Sequence, residues 1–207
     1  MLSLSTHGLL RRHLIGLAAS IAVFSLAAVQ APPANAANRY RYEIVNSFTG
    51  LRADVMWAST SAYQGVFLWP NNTSASQEFD LLDSGGGYFR IRARHSGQCL
   101  MLDWRSDSYT NGTRVIQYPH CAAGYAPAEW YTRTLSGTRC SDGICTTGID
   151  EQILVNRRTG RCLDAASGGR PPARAVLQQW DCVTSTDAWN IGNQAWDILQ
   201  PGSHRID

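Results

Sequence analysis

The chain has 207 residues, 44% of them hydrophobic and 16% charged, with 18 basic residues against 16 acidic ones and a formal net charge of +2. So even a balance, with no basic run, argues against a nucleic acid or an anionic membrane surface as partner. The length suits one domain with a sizeable core behind any processed leader.

The first such segment is N-terminal. Arg11 and Arg12 precede an apolar run from Leu14 to Val29, and Ala34-Asn35-Ala36 has the small-residue pattern of a cleavage site. Residues 1–36 therefore read as a secretory signal peptide, and the mature chain, residues 37–207, as a secreted, extracellular protein. A membrane anchor fits less well, because the run is short and ends in a Pro-rich, small-residue stretch. His13, Leu14 and Ile15 after the paired arginines leave both general and twin-arginine export open. Cleavage removes two of the 18 basic residues and brings them level with the 16 acidic ones, so the mature chain is expected to be near neutral, with no membrane as partner.

The remainder shows little helical periodicity. Its apolar residues fall in short runs punctuated by Gly, Ser, Asn and Pro, which predicts many short strands. In chain order these are Tyr40–Val45, Leu51–Val55, Val66–Trp69, Glu78–Leu82, Tyr88–Arg92, Gln98–Leu102, Arg114–Tyr118, Glu129–Arg133, Gln152–Val155, Arg161–Asp164, Ala175–Gln179 and Ala195–Leu199.

These twelve strands fall into three copies of four, at about residues 40–85, 86–134 and 152–199. Each copy has a turn glycine (Gly50, Gly97, Gly160), followed four residues on by Asp54, Met101 or Asp164. Each later reaches an aromatic position (Trp69, Tyr118 or Pro119, Trp180) and closes on Phe79, Trp130 or Trp196. One copy of this size cannot bury its own apolar face. Three can, by packing round a shared axis as a closed barrel, with the closing aromatics in its centre.

All six cysteines (99, 121, 140, 145, 162 and 182) lie in the mature part, and an even count in an exported chain reads as disulfides. The repeat selects Cys99–Cys121 and Cys162–Cys182 and leaves Cys140–Cys145 as a local pair. That last pair would staple an inserted hairpin over residues 135–151, which breaks the spacing between the second and third copies. Zinc is disfavoured because there is no paired CxxC, and His95, His120 and His204 are the only histidines after the leader. No metal and no cofactor is expected.

The GxCLD turn and strand, the aromatic-plus-cysteine segment and the NQxW close resemble the ricin-type β-trefoil lectins, also grouped as family 13 carbohydrate-binding modules. The resemblance runs from about Tyr40 to Leu199 and is most specific in the third copy. It implies an all-β protein, a twelve-strand β-trefoil of three pseudo-repeats, with up to three sugar pockets, often for galactose- or xylose-type sugars. Each pocket of the family uses an acid, a glutamine, a stacking aromatic and an Asn-Gln pair. In the third copy these are Asp164, Gln178, Trp180, Asn193 and Gln194. The first copy keeps Asp54, Trp69 and Gln77, has Phe67 and Ser76 in place of the glutamine and asparagine, and loses its cysteine positions to Arg52 and Asn71. The second keeps its cysteines and Gln117. It has Met101 at the acid position, Pro119 at the aromatic position counted back from Cys121, and Pro127-Ala128 at the close, so it reads as dead for the family's sugar.

The residue chemistry suits a sugar independently. An indole covers the C–H face of a pyranose, and a carboxylate accepts from its hydroxyls through charge-assisted bonds of about 1.5–3 kcal/mol net. Asparagine both donates and accepts, and Gln178 and Gln194 could instead hold the loop. One shallow site gives about 4–6 kcal/mol, hence millimolar to tens-of-micromolar affinity. No paired carboxylates, Ser/His/Asp set or phosphate loop is discernible, so an enzyme is not expected. The reading is a secreted carbohydrate-binding lectin. The alternative is a secreted β-trefoil interaction protein, such as a protease inhibitor, that uses the stapled loop and Arg139.

Overall fold

Twelve strands alternate with tight turns in the computed structural model, which describes residues 41–105, 108–141, 144–184 and 191–200; within these, the side chains of residues 139–141 and 149 are not described. The strands are β1 Glu43–Asn46, β2 Arg52–Val55, β3 Val66–Trp69, β4 Phe79–Gly85, β5 Tyr88–Ala93, β6 Cys99–Leu102, β7 Val115–Tyr118, β8 Glu129–Ser141, β9 Ile144–Asn156, β10 Cys162–Ala165, β11 Leu177–Trp180 and β12 Trp196–Leu199. Each overlaps one strand predicted from the sequence. The predicted leader, residues 1–36, lies outside the described residues.

The connectivity is that of a β-trefoil. The antiparallel pairs β1–β12, β4–β5 and β8–β9 form the barrel wall. Neighbouring pairs meet through the Tyr42–Phe79 bridge, the Phe89–Trp130 pairing of β5 with β8, and the approach of β9 to β12. The hairpins β2–β3, β6–β7 and β10–β11 cap one end. Isolated bridges link each cap to the next around the pseudo-threefold axis: Gly65 to Ile116, Arg114 to Gln178, and Val176 to Phe67.

The centre is dry. Phe79, Trp130 and Trp196 are fully buried among Ile44, Val55, Leu68, Leu102 and Leu154. Burying an indole requires a partner for its N–H. Trp130 donates to the Leu100 carbonyl at 3.3 Å and Trp196 to the Leu163 carbonyl at 3.0 Å, the same strand position in two copies. Phenylalanine at the third such position needs no acceptor.

The turn glycines close the same turn three times. The amides of Gly50, Gly97 and Gly160 bond to the carbonyls of Asn46, Ala93 and Asn156 at 2.9, 2.8 and 2.9 Å, with φ of 67°, 71° and 69°. A left-handed backbone at this point favours glycine. Two buried asparagines at the start of these turns bind the copies together. Asn46 donates to the Gly192 carbonyl at 2.7 Å, and Asn156 donates to the Pro127 carbonyl at 3.0 Å. Neither was singled out in the sequence, although N-x-x-T-G occurs in both NSFTG and NRRTG.

Cys99–Cys121 and Cys162–Cys182 are disulfides. In the first copy, Arg52 stands where these copies have Cys99 and Cys162, and its Nε donates to Glu43 at 2.8 Å. The expected Cys140–Cys145 staple and the exposed Arg139 rest on the side chains of residues 140 and 139, which lie outside the described ones; the backbone register sets residues 140 and 145 opposite each other near the end of β8 and the start of β9. Replacing Cys162 and Cys182 together by alanine is expected to cost about 3 kcal/mol, because the bridge closes a loop with a sequence separation of 20. Reversible denaturant unfolding of the two forms measures the loss.

Candidate functional site

Strand alternation places the third-copy residues together. Asp164 on β10 lies opposite Gln178 on β11, and Cys162 lies opposite Trp180, so carboxylate, amide and indole share one face. The tight turn before β12 brings Asn193 and Gln194 over the same carboxylate. Asp164 is 2% exposed, an unusual place for a charge unless it is hydrogen-bonded. Its Oδ1 accepts from Gln178 at 2.9 Å, and its Oδ2 accepts from Asn193 at 2.6 Å and Gln194 at 2.9 Å. Three amide donors thus occupy most of the roughly four acceptor positions of a carboxylate and aim what remains at the cleft.

The cleft has a volume of about 390 Å³ and is lined by Asp164, Ala166, Ser167, Gly168, Gln178, Trp180 and Asn193. Trp180 is 45% exposed at its rim and is therefore not a core residue. Gln194 faces inward: besides Asp164 it donates to the Asp181 carbonyl at 3.1 Å and accepts from the Val183 amide at 3.0 Å, holding the segment after Trp180 in place. Asp181 is pinned from both the second copy and its own. Asn111 donates to it at 2.9 Å, and Arg161 donates to both Asp181 and Asn111 at 2.9 Å. Burial pushes the Asp164 carboxyl above its ordinary value of 3.8, opposed by the bonds from Gln194, Gln178 and Asn193.

The first copy builds a related but altered site. Asp54 is 3% exposed and accepts from Gln77 at 2.9 Å, and Gln77 also donates to the Pro70 carbonyl at 2.9 Å. The Ser76 hydroxyl serves Asp54 where Asn193 serves Asp164. The Asp54 carboxyl is likewise raised, by burial first, against bonds from Ser76, Gln77 and Asn72 and the charge of His95. Phe67 lies opposite Asp54, so an apolar ring replaces Gln178. Trp69 packs 5.5 Å from Phe67, and Trp57 stands 6.2 Å from the same ring. Trp57 is 79% exposed with φ of 64°, and sequence reading missed it; a lone aromatic just after the RADV strand was the available signal.

In the second copy the acid, glutamine and closing-glutamine positions hold Met101, Ile116 and Ala128, packed as one apolar cluster. The register corrects the count made from Cys121. Tyr118, not Pro119, lies opposite Cys99 as Trp180 lies opposite Cys162. Gln117 therefore matches Gln179 rather than Gln178. Both are structural: Gln117 donates to the Ser59 and Ser61 carbonyls at 2.7 Å, and Gln179 donates to the Thr110 carbonyl at 2.9 Å. Trp104, 41% exposed, stacks edge-on 6.2 Å from Tyr118, and Asp103 is held by Arg105 at 2.8 Å. Among the described residues no group of three or more His, Cys, Asp or Glu is placed to hold a metal.

Residues 28–118 match the family model described as ricin-type beta-trefoil lectin domain-like. Comparison with curated proteins finds no match. Solved structures that share the fold include the designed threefold-symmetric protein ThreeFoil, at 28% identity and a TM-score of 0.60, covering 77% of this chain and 98% of that one. An exo-beta-1,3-galactanase from Clostridium thermocellum is 26% identical with a TM-score of 0.59; the match covers 79% of this chain and 30% of the enzyme. The ricin B-like lectin of Macrolepiota procera, solved in complex with lactose, is 18% identical with a TM-score of 0.56 and covers 78% and 95%.

Proposed function

We propose that this chain, a ricin-type β-trefoil, is a carbohydrate-binding lectin whose principal pocket is the third-copy cleft and whose ligands are galactose- or xylose-type sugars. The observation that carries the reading is the buried Asp164 carboxylate, held by three side-chain amides beside the exposed indole of Trp180. This is the arrangement that reads hydroxyl stereochemistry on one side of a pyranose and covers its C–H face on the other. The first copy, with Asp54, Gln77 and Trp69, is a second, altered pocket. The fold's occurrence in a lactose-bound lectin and alongside a galactanase supports the ligand class. Among the described residues lining the cleft Asp164 is the one carboxylate, which supports binding over hydrolysis, since a glycosidase needs two across the bond. The two disulfides fit an exported, extracellular protein.

A glycan array on the mature chain tests this. Binding to galactose- or xylose-type probes is expected between tens of micromolar and millimolar, and no binding at millimolar concentration overturns it. The pH dependence has a definite sign. The ionised carboxylate is the acceptor, and burial raises the carboxyls of both Asp164 and Asp54. Affinity is therefore expected to fall on acidification while still above the ordinary carboxyl value of 3.8, as titration calorimetry at stepped pH would record. Stability runs the other way: a raised carboxyl contributes most below 3.8 and less as pH rises through its folded-state value.

A further inference from the structure

Each of the three aromatic positions is met by a residue from a different copy. Tyr63, Gly112 and Arg174 each stand three residues before the third strand of their own copy, at Val66, Val115 and Leu177. All three have a left-handed backbone, with φ of 67°, 87° and 73°. Each donates its amide N–H to the following copy: Tyr63 to the Gln117 carbonyl at 2.9 Å, Gly112 to Gln179 at 2.9 Å, and Arg174 to Leu68 at 2.7 Å. Those acceptors immediately precede Tyr118, Trp180 and Trp69. The left-handed residue is thus delivered to its neighbour's ring. The Tyr63 ring lies 4.9 Å from Tyr118, and the Arg174 guanidinium lies 5.3 Å over Trp69.

At Trp180 the delivered residue is glycine. A Cβ on Gly112 would stand 3.9 Å from Trp180 Cζ3 and 3.9 Å from Gln178 Oε1, so a longer side chain would rise between the ring and the polar floor. Backbone conformation alone does not account for glycine here, because tyrosine and arginine occupy the same left-handed position in the other two copies. The burial of the rings follows the same order. Trp69 and Tyr118 are half-buried, whereas Trp180 is exposed. The Asn111–Asp181 bonds fix the spacing between the two segments.

We infer that this left-handed position gates the aromatic platform of the following copy, and that Gly112 is the specificity-determining residue that keeps the face of Trp180 open to a sugar ring. The third cleft is then a composite of two copies. The ligand rests on the carbohydrate reading above; the gating of the ring does not.

The test uses the full mature chain with its disulfides intact, as parent, Gly112→Ala, Gly112→Arg and Arg174→Gly. Two readouts are taken: affinity for lactose and xylotriose, and hydroxyl-radical labelling of Trp180 and Trp69 located by mass spectrometry. Gly112→Arg is expected to lose about tenfold in affinity and to lower labelling at Trp180, while Gly112→Ala stays within about twofold of the parent in both. Arg174→Gly is expected to raise labelling at Trp69. Unchanged Trp180 labelling in Gly112→Arg, or an equal loss in Gly112→Ala, overturns the gate. A parent that binds neither sugar while the labelling shifts as stated supports the gate and removes the lectin reading instead.

Discussion

Truncating Trp130 to alanine is expected to lower the unfolding free energy by about 3–5 kcal/mol, while Trp57→Ala changes it by no more than about 0.5 kcal/mol. Both are tryptophans, and composition does not distinguish them. Trp130 is fully buried beside its counterparts in the barrel centre, and its indole satisfies the Leu100 carbonyl. Its removal leaves a large apolar cavity and strips that carbonyl of a donor. Trp57 is 79% exposed, so its loss removes little buried area. Against a typical domain stability of about 5–15 kcal/mol, the first change leaves a marginal fold. Urea unfolding followed by circular dichroism separates the two, and equal midpoints would place Trp130 outside the core.

The burial of Trp130 was legible because the closing positions recur, whereas nothing in the repeat marked Trp57. Phe79, Trp130 and Trp196 end three equivalent runs, and only a shared interior gives one position the same apolar requirement three times. The strands were legible for a similar reason: short apolar runs bounded by turn residues leave few alternatives. Legibility failed where spacing and register diverge. Two residues separate Tyr118 from Cys121, whereas one separates Trp180 from Cys182. Counting from the cysteine therefore slipped by one and selected Pro119. Ladder hydrogen bonds, not distance to a disulfide, decide which residue faces which.

The polar floor of the third cleft was legible because its residue types are expensive to bury and so recur as a set. Asp54 keeps Gln77, and Asp164 keeps Asn193 and Gln194; where the acid is lost at Met101, its amide partners are lost as well, to Ile116 and Ala128. The walls were not legible. Trp57 and Arg174, beside Phe67 and Trp69 of the first copy, adopt left-handed conformations that no hydrophobic pattern marks, and Asn111 and Gly112 reach Asp181 and Trp180 from the second copy. Contacts made across the pseudo-threefold axis have no fixed sequence offset from the residues they serve.

Asp164→Ala is expected to reduce affinity for lactose- or xylotriose-type probes at least about 100-fold and to cost about 1–3 kcal/mol of stability. The carboxylate is the common acceptor of Gln178, Asn193 and Gln194, so its removal leaves three amides at the cleft floor without their partner. Stability and binding can then be separated with the protein's own second copy, which fills the equivalent space with Met101, Ile116 and Ala128. The triple variant Asp164→Met, Gln178→Ile, Gln194→Ala is expected to recover most of the lost stability while remaining unable to bind. Recovery falls short by about 1 kcal/mol, because Gln194 also holds the Asp181 carbonyl and the Val183 amide and alanine replaces neither bond. Calorimetric unfolding of parent, single and triple variants alongside glycan titration reads both quantities. A single variant that binds as well as the parent would remove Asp164 from the site. A triple variant less stable than the single would show that the second copy's apolar floor depends on its own surroundings, not on the loss of the buried charge.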